Sequence, residues 1–135
     1  MDRKVRKTNY LIPTEDEECI ALVQWLNLHG IPCAHIANES KSSSRNAMIR
    51  GAKLKRMGQS RGVWDYEIFI PIRGATDEVD CYQQVKIEMK RIKNAKVSAE
   101  QKEWGKIYEL AGIPCKVCYG ARDAIDFVES FLKNV

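Results

Sequence analysis

Three charged side chains, Asp65, Glu88 and Lys90, carry the chemistry for which this sequence can be read. Asp65 lies in Arg61-Gly-Val-Trp-Asp65-Tyr-Glu-Ile-Phe-Ile70, and Glu88 and Lys90 close Val85-Lys-Ile-Glu88-Met-Lys90. Each stretch reads as a short strand, where residues two apart share a face. Glu88 and Lys90 therefore project together, while Val85, Ile87 and Met89 face the other way. A hairpin symmetric about Thr76 and Asp77 sets Asp65 opposite Glu88, each eleven residues from the nearer turn residue. The pair would then stand roughly 5 Å apart on one face, unless a bulge or a one-residue slip intervenes. Like charges directly opposite destabilise a sheet, so the register implies a cation between them, a shifted pKa or a different pairing. Carboxylate oxygens suit Mg²⁺ or Mn²⁺, which usually keeps waters and bridges to a phosphate. Such an ion can activate water and stabilise charge on phosphoryl oxygens. Lys90 would orient the attacking water or neutralise developing charge. By itself, Glu-x-Lys also fits the alternation of a solvated strand.

The elements that must position these residues are legible in order. Residues 1–12 read as a basic arm, and 13–135 as one domain. Thr14 and Glu17 form a capping-box pattern for a helix running to about His29, with Leu22, Trp25, Leu26 and His29 on one stripe and Gly30 as its stop. Pro32 to Asn38 reads as a strand. Ser42–Ser44 offer caps for a basic helix to about Met57. Strands over Val63–Pro71 and Cys81–Lys90 flank turn residues at Gly74–Asp77. A helix from Ser98 through Leu110, a strand over Pro114–Tyr119 and a helix over Asp123–Lys133 complete an α-β-(α)-β-β-α-β-α order.

Length, composition and charge narrow the partners. At 135 residues the chain suits a single domain with a real core. No apolar run approaches the roughly 18 residues of a membrane span, and the basic start lacks the apolar stretch of a secretory leader. A cytoplasmic protein, without membrane or organic cofactor, is the expectation. Cys19, Cys33, Cys81, Cys115 and Cys118 are odd in number and mostly lie in apolar runs, which suits reduced thiols. Cys115-Lys-Val-Cys118 lacks a second ligand pair at zinc spacing, because His29 and His35 lie far upstream. The net charge is +4, yet the seven charged residues between Glu39 and Asp65 are all basic: Lys41, Arg45, Arg50, Lys53, Lys55, Arg56 and Arg61. Acids gather instead at 15–18 and 77–80. Segregation of this kind suits a polyanionic partner, most often nucleic acid, with a solvated surface as the plainer alternative. Lys53, Lys55, Arg56 and Arg61, with Arg45 and Arg50, are the candidate phosphate contacts. Trp25 and Trp104 read as core, and Trp64 as core or as a platform for a base.

A longer ordered pattern adds to this. Glu15 and Glu18, Gly62-Val-Trp-Asp65, Ile87-Glu-Met-Lys90 and Ser98-Ala-Glu-Gln101-Lys-Glu-Trp104 resemble the VRR-NUC branch of the PD-(D/E)XK nucleases. The likeness runs from about residue 14 to the end. His35-Ile-Ala-Asn-Glu39 and Gly51-Ala-Lys-Leu-Lys-Arg-Met-Gly58 resemble the stand-alone phage and bacterial members. The resemblance implies an α/β, restriction-endonuclease-like core (α-β-β-β-α-β, a mixed sheet flanked by helices) carrying an inserted basic helix and a C-terminal helix. It implies that Asp65 and Glu88 bind Mg²⁺ or Mn²⁺, with the Met89 carbonyl as a further ligand. Lys90 would be the catalytic lysine, and Gln101 would help hold the site. An acid on the first helix would complete it: matching back from Gly30 favours Glu15, whereas the stripe with Leu22 favours Glu18. The family usually has proline directly before the metal-binding Asp, where this chain has Trp64.

The resulting expectation is a Mg²⁺- or Mn²⁺-dependent deoxyribonuclease. Stand-alone relatives act as homodimers on branched DNA, so a Holliday (four-way) junction is the leading substrate, and a bacterial or phage-infected cytoplasm the setting. Two rivals stand beside it. One is a non-catalytic DNA-binding module with the nuclease fold; the other is a protein-interaction domain whose charges are merely solvated.

Overall fold

The computed structural model describes residues 12–36 and 44–132. The expected basic arm, Glu39, Lys41 and the end of the first strand lie outside the described residues, apart from Ile12 in the arm. The elements run α1 (Glu15–Leu28), β1 (Cys33–His35), α2 (Arg45–Arg56), β2 (Tyr66–Arg73), β3 (Val79–Lys90), α3 (Ala99–Leu110), β4 (Cys115–Tyr119) and α4 (Ala121–Leu132). This is the α/β mixed sheet with flanking helices that was expected.

Local chemistry sets most of the boundaries. Thr14 and Glu17 close a reciprocal capping box on α1, which satisfies amides that the first turn would otherwise leave unpaired. Ser44 caps α2, its Oγ accepting from the Ala47 amide at 3.1 Å. Ser98 and Gln101 form a second capping box at α3. Gly30 and Gly112 leave α1 and α3 with φ of 65° and 76°, a region where a side chain would clash.

The sheet order is β1-β2-β3-β4. The first two pairings are antiparallel and β3–β4 is parallel, with α3 as the crossover that a parallel pair needs. The hairpin ladder runs from Tyr66↔Ile87 to Ile72↔Cys81, and a bulge then shifts Arg73 onto Val79. The asymmetry is confined to the tip, so the expected register holds along the body. Asp65, one step beyond the Tyr66–Ile87 pair, comes to lie against Glu88. Both strands run longer at the tip than expected, and β2 begins at Tyr66 rather than Val63.

One sheet face builds the core. Tyr66, Ile68, Ile70, Val85, Ile87 and Met89 pack with Leu22 and Leu26 of α1 and with Ala124 and Val128 of α4. Burial of this apolar area is the main stabilising term. Trp25 is half-buried, and His29 is exposed and stacks on it with ring centroids 4.1 Å apart. The other face carries Asp65, Glu67, Lys86, Glu88 and Lys90 and is covered by α3. Lys86 is buried there, pairs with Glu67 at 3.2 Å and sits over the Tyr108 ring of α3. By contrast, α2 has no buried residue; only Ala47, Gly51 and Leu54 along one stripe are half-buried.

Candidate functional site

Asp65 and Glu88 are 7% and 1% exposed, an unusual situation for two acids on the same sheet face. Their backbone and side-chain groups interlock. The Asp65 amide donates to Glu88 Oε1 at 3.2 Å, and the Met89 amide donates to Asp65 Oδ2 at 3.0 Å. In a strand, a residue's N–H and C=O point to the same side. The Met89 carbonyl is therefore directed toward the Asp65 side as well.

Glu88 Oε2 accepts from Gln101 Nε2 at 3.0 Å and lies 4.0 Å from Lys90 Nζ. Gln101 reaches it from the first turn of α3, while its Oε1 accepts from the Ser98 amide at 3.0 Å. The same side chain thus closes the helix cap and touches the acid pair. Burial pushes the Glu88 carboxyl up to about 8, the Asp65 charge adds to the rise, and Lys90 opposes it. The Asp65 side chain beside it thus favours the protonated form of Glu88. A pair so short of positive charge can be neutralised by a proton or by a cation.

The donor set fits a hard cation. No cluster of three or more His, Cys, Asp or Glu side chains suited to a metal occurs among the described residues. Two carboxylates suffice for Mg²⁺ or Mn²⁺ when waters and phosphate oxygens fill the remaining positions. The arrangement can therefore hold such an ion against a phosphate, with Lys90 alongside.

The two helix-one acids separate. Glu18 turns toward α4, where its Oε2 accepts from the Ala121 amide at 2.8 Å. Glu15 lies one turn before Cys19, which packs against the core. Burial pushes the Cys19 thiol up to about 11, with the Asp65 and Glu15 carboxylates adding to the shift. Glu15 therefore shares the Cys19 face of α1, whereas Glu18 is held at α4.

The basic candidates Arg45, Arg50, Lys53, Lys55, Arg56 and Arg61 are all exposed. Arg50, Lys55 and Arg61 line a cleft of about 290 Å³. Lys55 and Arg61 also border a second cleft, of about 530 Å³, whose far wall is Glu100, Glu103, Trp104 and Ile107 of α3. Those residues belong to α3, the helix from which Gln101 reaches Glu88, so one helix touches both the basic segment and the acid pair.

Trp64 is buried at 4% exposure and offers no face to a base, which corrects that expectation. Trp104 is half-buried rather than core, and its Nε1 donates to the Arg61 carbonyl at 3.1 Å. Cys115 and Cys118 are thiols on β4. Sequence reasoning missed Tyr108 and the packing partner of Trp64. The available signal was Gly105 in the middle of an expected helix, which usually has a packing reason.

No family model matches the sequence, and no curated protein matches it either. The fold is shared with a solved structure described as "VRR_NUC domain protein", at a TM-score of 0.65 and 24% identity over 90% of this chain and 90% of that one.

Proposed function

We propose that this protein is a divalent-cation-dependent DNA nuclease whose centre is Asp65, Glu88 and Lys90. The observation that carries this reading is the buried pair of facing carboxylates with Gln101 and Lys90 on the same Glu88 oxygen. The shared fold with a "VRR_NUC domain protein" supports it, as does the exposed basic helix α2.

Asp65 and Glu88 would hold Mg²⁺ or Mn²⁺, with the Met89 carbonyl as a further ligand. When bound, the ion would supply Lewis acidity that lowers the pKa of water and offsets charge on the phosphoryl oxygens. Gln101 fixes the orientation of the Glu88 carboxylate. Lys90 stabilises negative charge developing on the phosphate. Glu15 is the helix-one acid proposed for the site, because Glu18 is engaged at α4. Arg45, Arg50, Lys53, Lys55, Arg56 and Arg61 hold the DNA backbone, which gives affinity without sequence readout. Branched DNA such as a four-way junction is the proposed substrate, on the strength of the resemblance to stand-alone nucleases. A homodimer would present two centres to two strands for paired cuts.

Cleavage of single-stranded, duplex and four-way DNA with Mn²⁺, Mg²⁺ or EDTA tests this. Wild type should cut only with the metal, and Asp65→Ala and Lys90→Ala should each lose on the order of 10²-fold or more in rate. Cutting that persists in both variants would sink the assignment. Binding of all three DNAs by both wild type and variants, with no cutting under any condition, would leave a DNA-binding module instead.

A further inference from the structure

Trp64 immediately precedes Asp65, yet it faces away from solvent and is fixed by several contacts. Its indole Nε1 donates to the Gln101 carbonyl at 2.8 Å. Its backbone amide donates to the Tyr108 hydroxyl at 3.4 Å, and the two rings meet edge to face with centroids 5.3 Å apart. The ring edge occupies the space that a side chain at position 105 would need. A Cβ built on Gly105 would stand 2.9 Å from Trp64 Cζ2. Glycine weakens a helix interior relative to alanine, and the room left for the indole accounts for its presence in α3.

The residue that Trp64 grips is the one that touches the acid pair. The Gln101 backbone amide donates to Ser98 Oγ at 3.1 Å, and its carbonyl accepts from Trp64. Its side-chain Oε1 accepts from the Ser98 amide, and Nε2 donates to Glu88 Oε2. The strand entry, the first turn of α3 and the Glu88 carboxylate are therefore joined through one residue. We infer that Trp64, seated against Gly105, is a positioning residue: its indole N–H holds the first turn of α3 so that Gln101 orients Glu88 for a cation. This rests on the reading that Asp65 and Glu88 hold a divalent ion, though not on the reaction performed there.

The test is Mn²⁺ affinity, measured by calorimetry on the full chain as wild type, Trp64→Phe, Gln101→Ala and the double variant. Trp64→Phe keeps an aromatic ring and removes the donor. It should weaken Mn²⁺ binding roughly tenfold, the low end of what partners behind a metal ligand contribute. Gln101→Ala should cost at least as much, and the double variant no more than Gln101→Ala alone, because the two substitutions break one linkage. Wild-type affinity in Trp64→Phe overturns the inference, and so does a further tenfold loss when it is added to Gln101→Ala. If Trp64→Phe does not fold, Gly105→Ala serves, since its methyl displaces the indole while favouring the helix; unchanged Mn²⁺ affinity there overturns the inference equally. If the wild type binds no Mn²⁺, the cation reading fails, and hydrogen exchange of the Gln101 side-chain amide decides the linkage. Faster exchange in Trp64→Phe or Gly105→Ala than in wild type supports the linkage, and equal exchange overturns it.

Discussion

Glu88 is almost inaccessible and faces a carboxylate of the same sign, so its ionisation is opposed both by burial and by Asp65. Its carboxyl is raised from about 4.5 to about 8 in the metal-free protein. Between those values the folded chain holds a proton that the unfolded chain releases. The protonated site accordingly favours folding at low pH, and that contribution declines as pH rises from about 4.5 through about 8. In EDTA, melting temperature should fall across this window, and Glu88→Gln should flatten the fall; equal slopes in both proteins would refute the assignment of the titration to Glu88. Binding of Mn²⁺ near neutral pH should release a proton, because the ion replaces it on the pair. Calorimetry in buffers of different ionisation enthalpy would count that proton. The pair itself was legible in the sequence, because strand period and turn position are local quantities that fix which residues face each other. Its burial was not, since the cover comes from α3, which follows β3 in the chain.

At the scale of elements, Glu18 and Glu15 illustrate where sequence reading stops. The capping box of Thr14 and Glu17 spans four adjacent residues and could be read directly. Glu18 instead accepts from an amide 103 residues away, a partner that only the packing of α1 on α4 supplies. Sequence spacing placed it correctly on the Leu22 stripe, yet that stripe leads to α4. Glu18→Ala should cost about 1 kcal/mol of stability, as loss of a helix cap does, with little change in DNA cleavage. Glu15→Ala should slow cleavage by about tenfold. The reverse pattern would assign Glu18 to the site. The late start of β2 has a similar origin. Gly62, at φ 78°, packs its backbone so closely on α3 that an added Cβ would lie 2.6 Å from the Glu100 carbonyl carbon. The chain can turn into the strand only after that contact. Gly62→Ala combines a disfavoured backbone with this clash, and should cost about 3 kcal/mol in urea unfolding, the upper end for ordinary substitutions.

At the scale of the whole molecule, charge among the described residues is unevenly distributed. Acids occupy the first turn of α1 and the hairpin tip around Asp77, Glu78 and Asp80, while α2 presents a basic surface with no buried residue. A helix that buries so little gains little from packing, so its composition points to a partner that supplies the missing contact. The cleft bordered by Lys55 and Arg61 is walled by α3, whose Gln101 touches Glu88. If Arg45, Arg50, Lys53, Lys55, Arg56 and Arg61 each neutralise one phosphate, six counterions leave on binding. The logarithm of DNA affinity should then fall against log salt with a slope of about −5, or roughly 10³-fold between 50 and 200 mM. Replacing Lys53, Lys55, Arg56 and Arg61 together with alanine should make that slope shallower by about 3 to 4, since each contact contributes about 0.9. Fluorescence anisotropy with labelled duplex and junction DNA measures both slopes, with EDTA present to prevent cutting. A shallow wild-type slope would favour a protein-interaction domain, whereas a steep slope that survives the fourfold substitution would move the DNA track to another face.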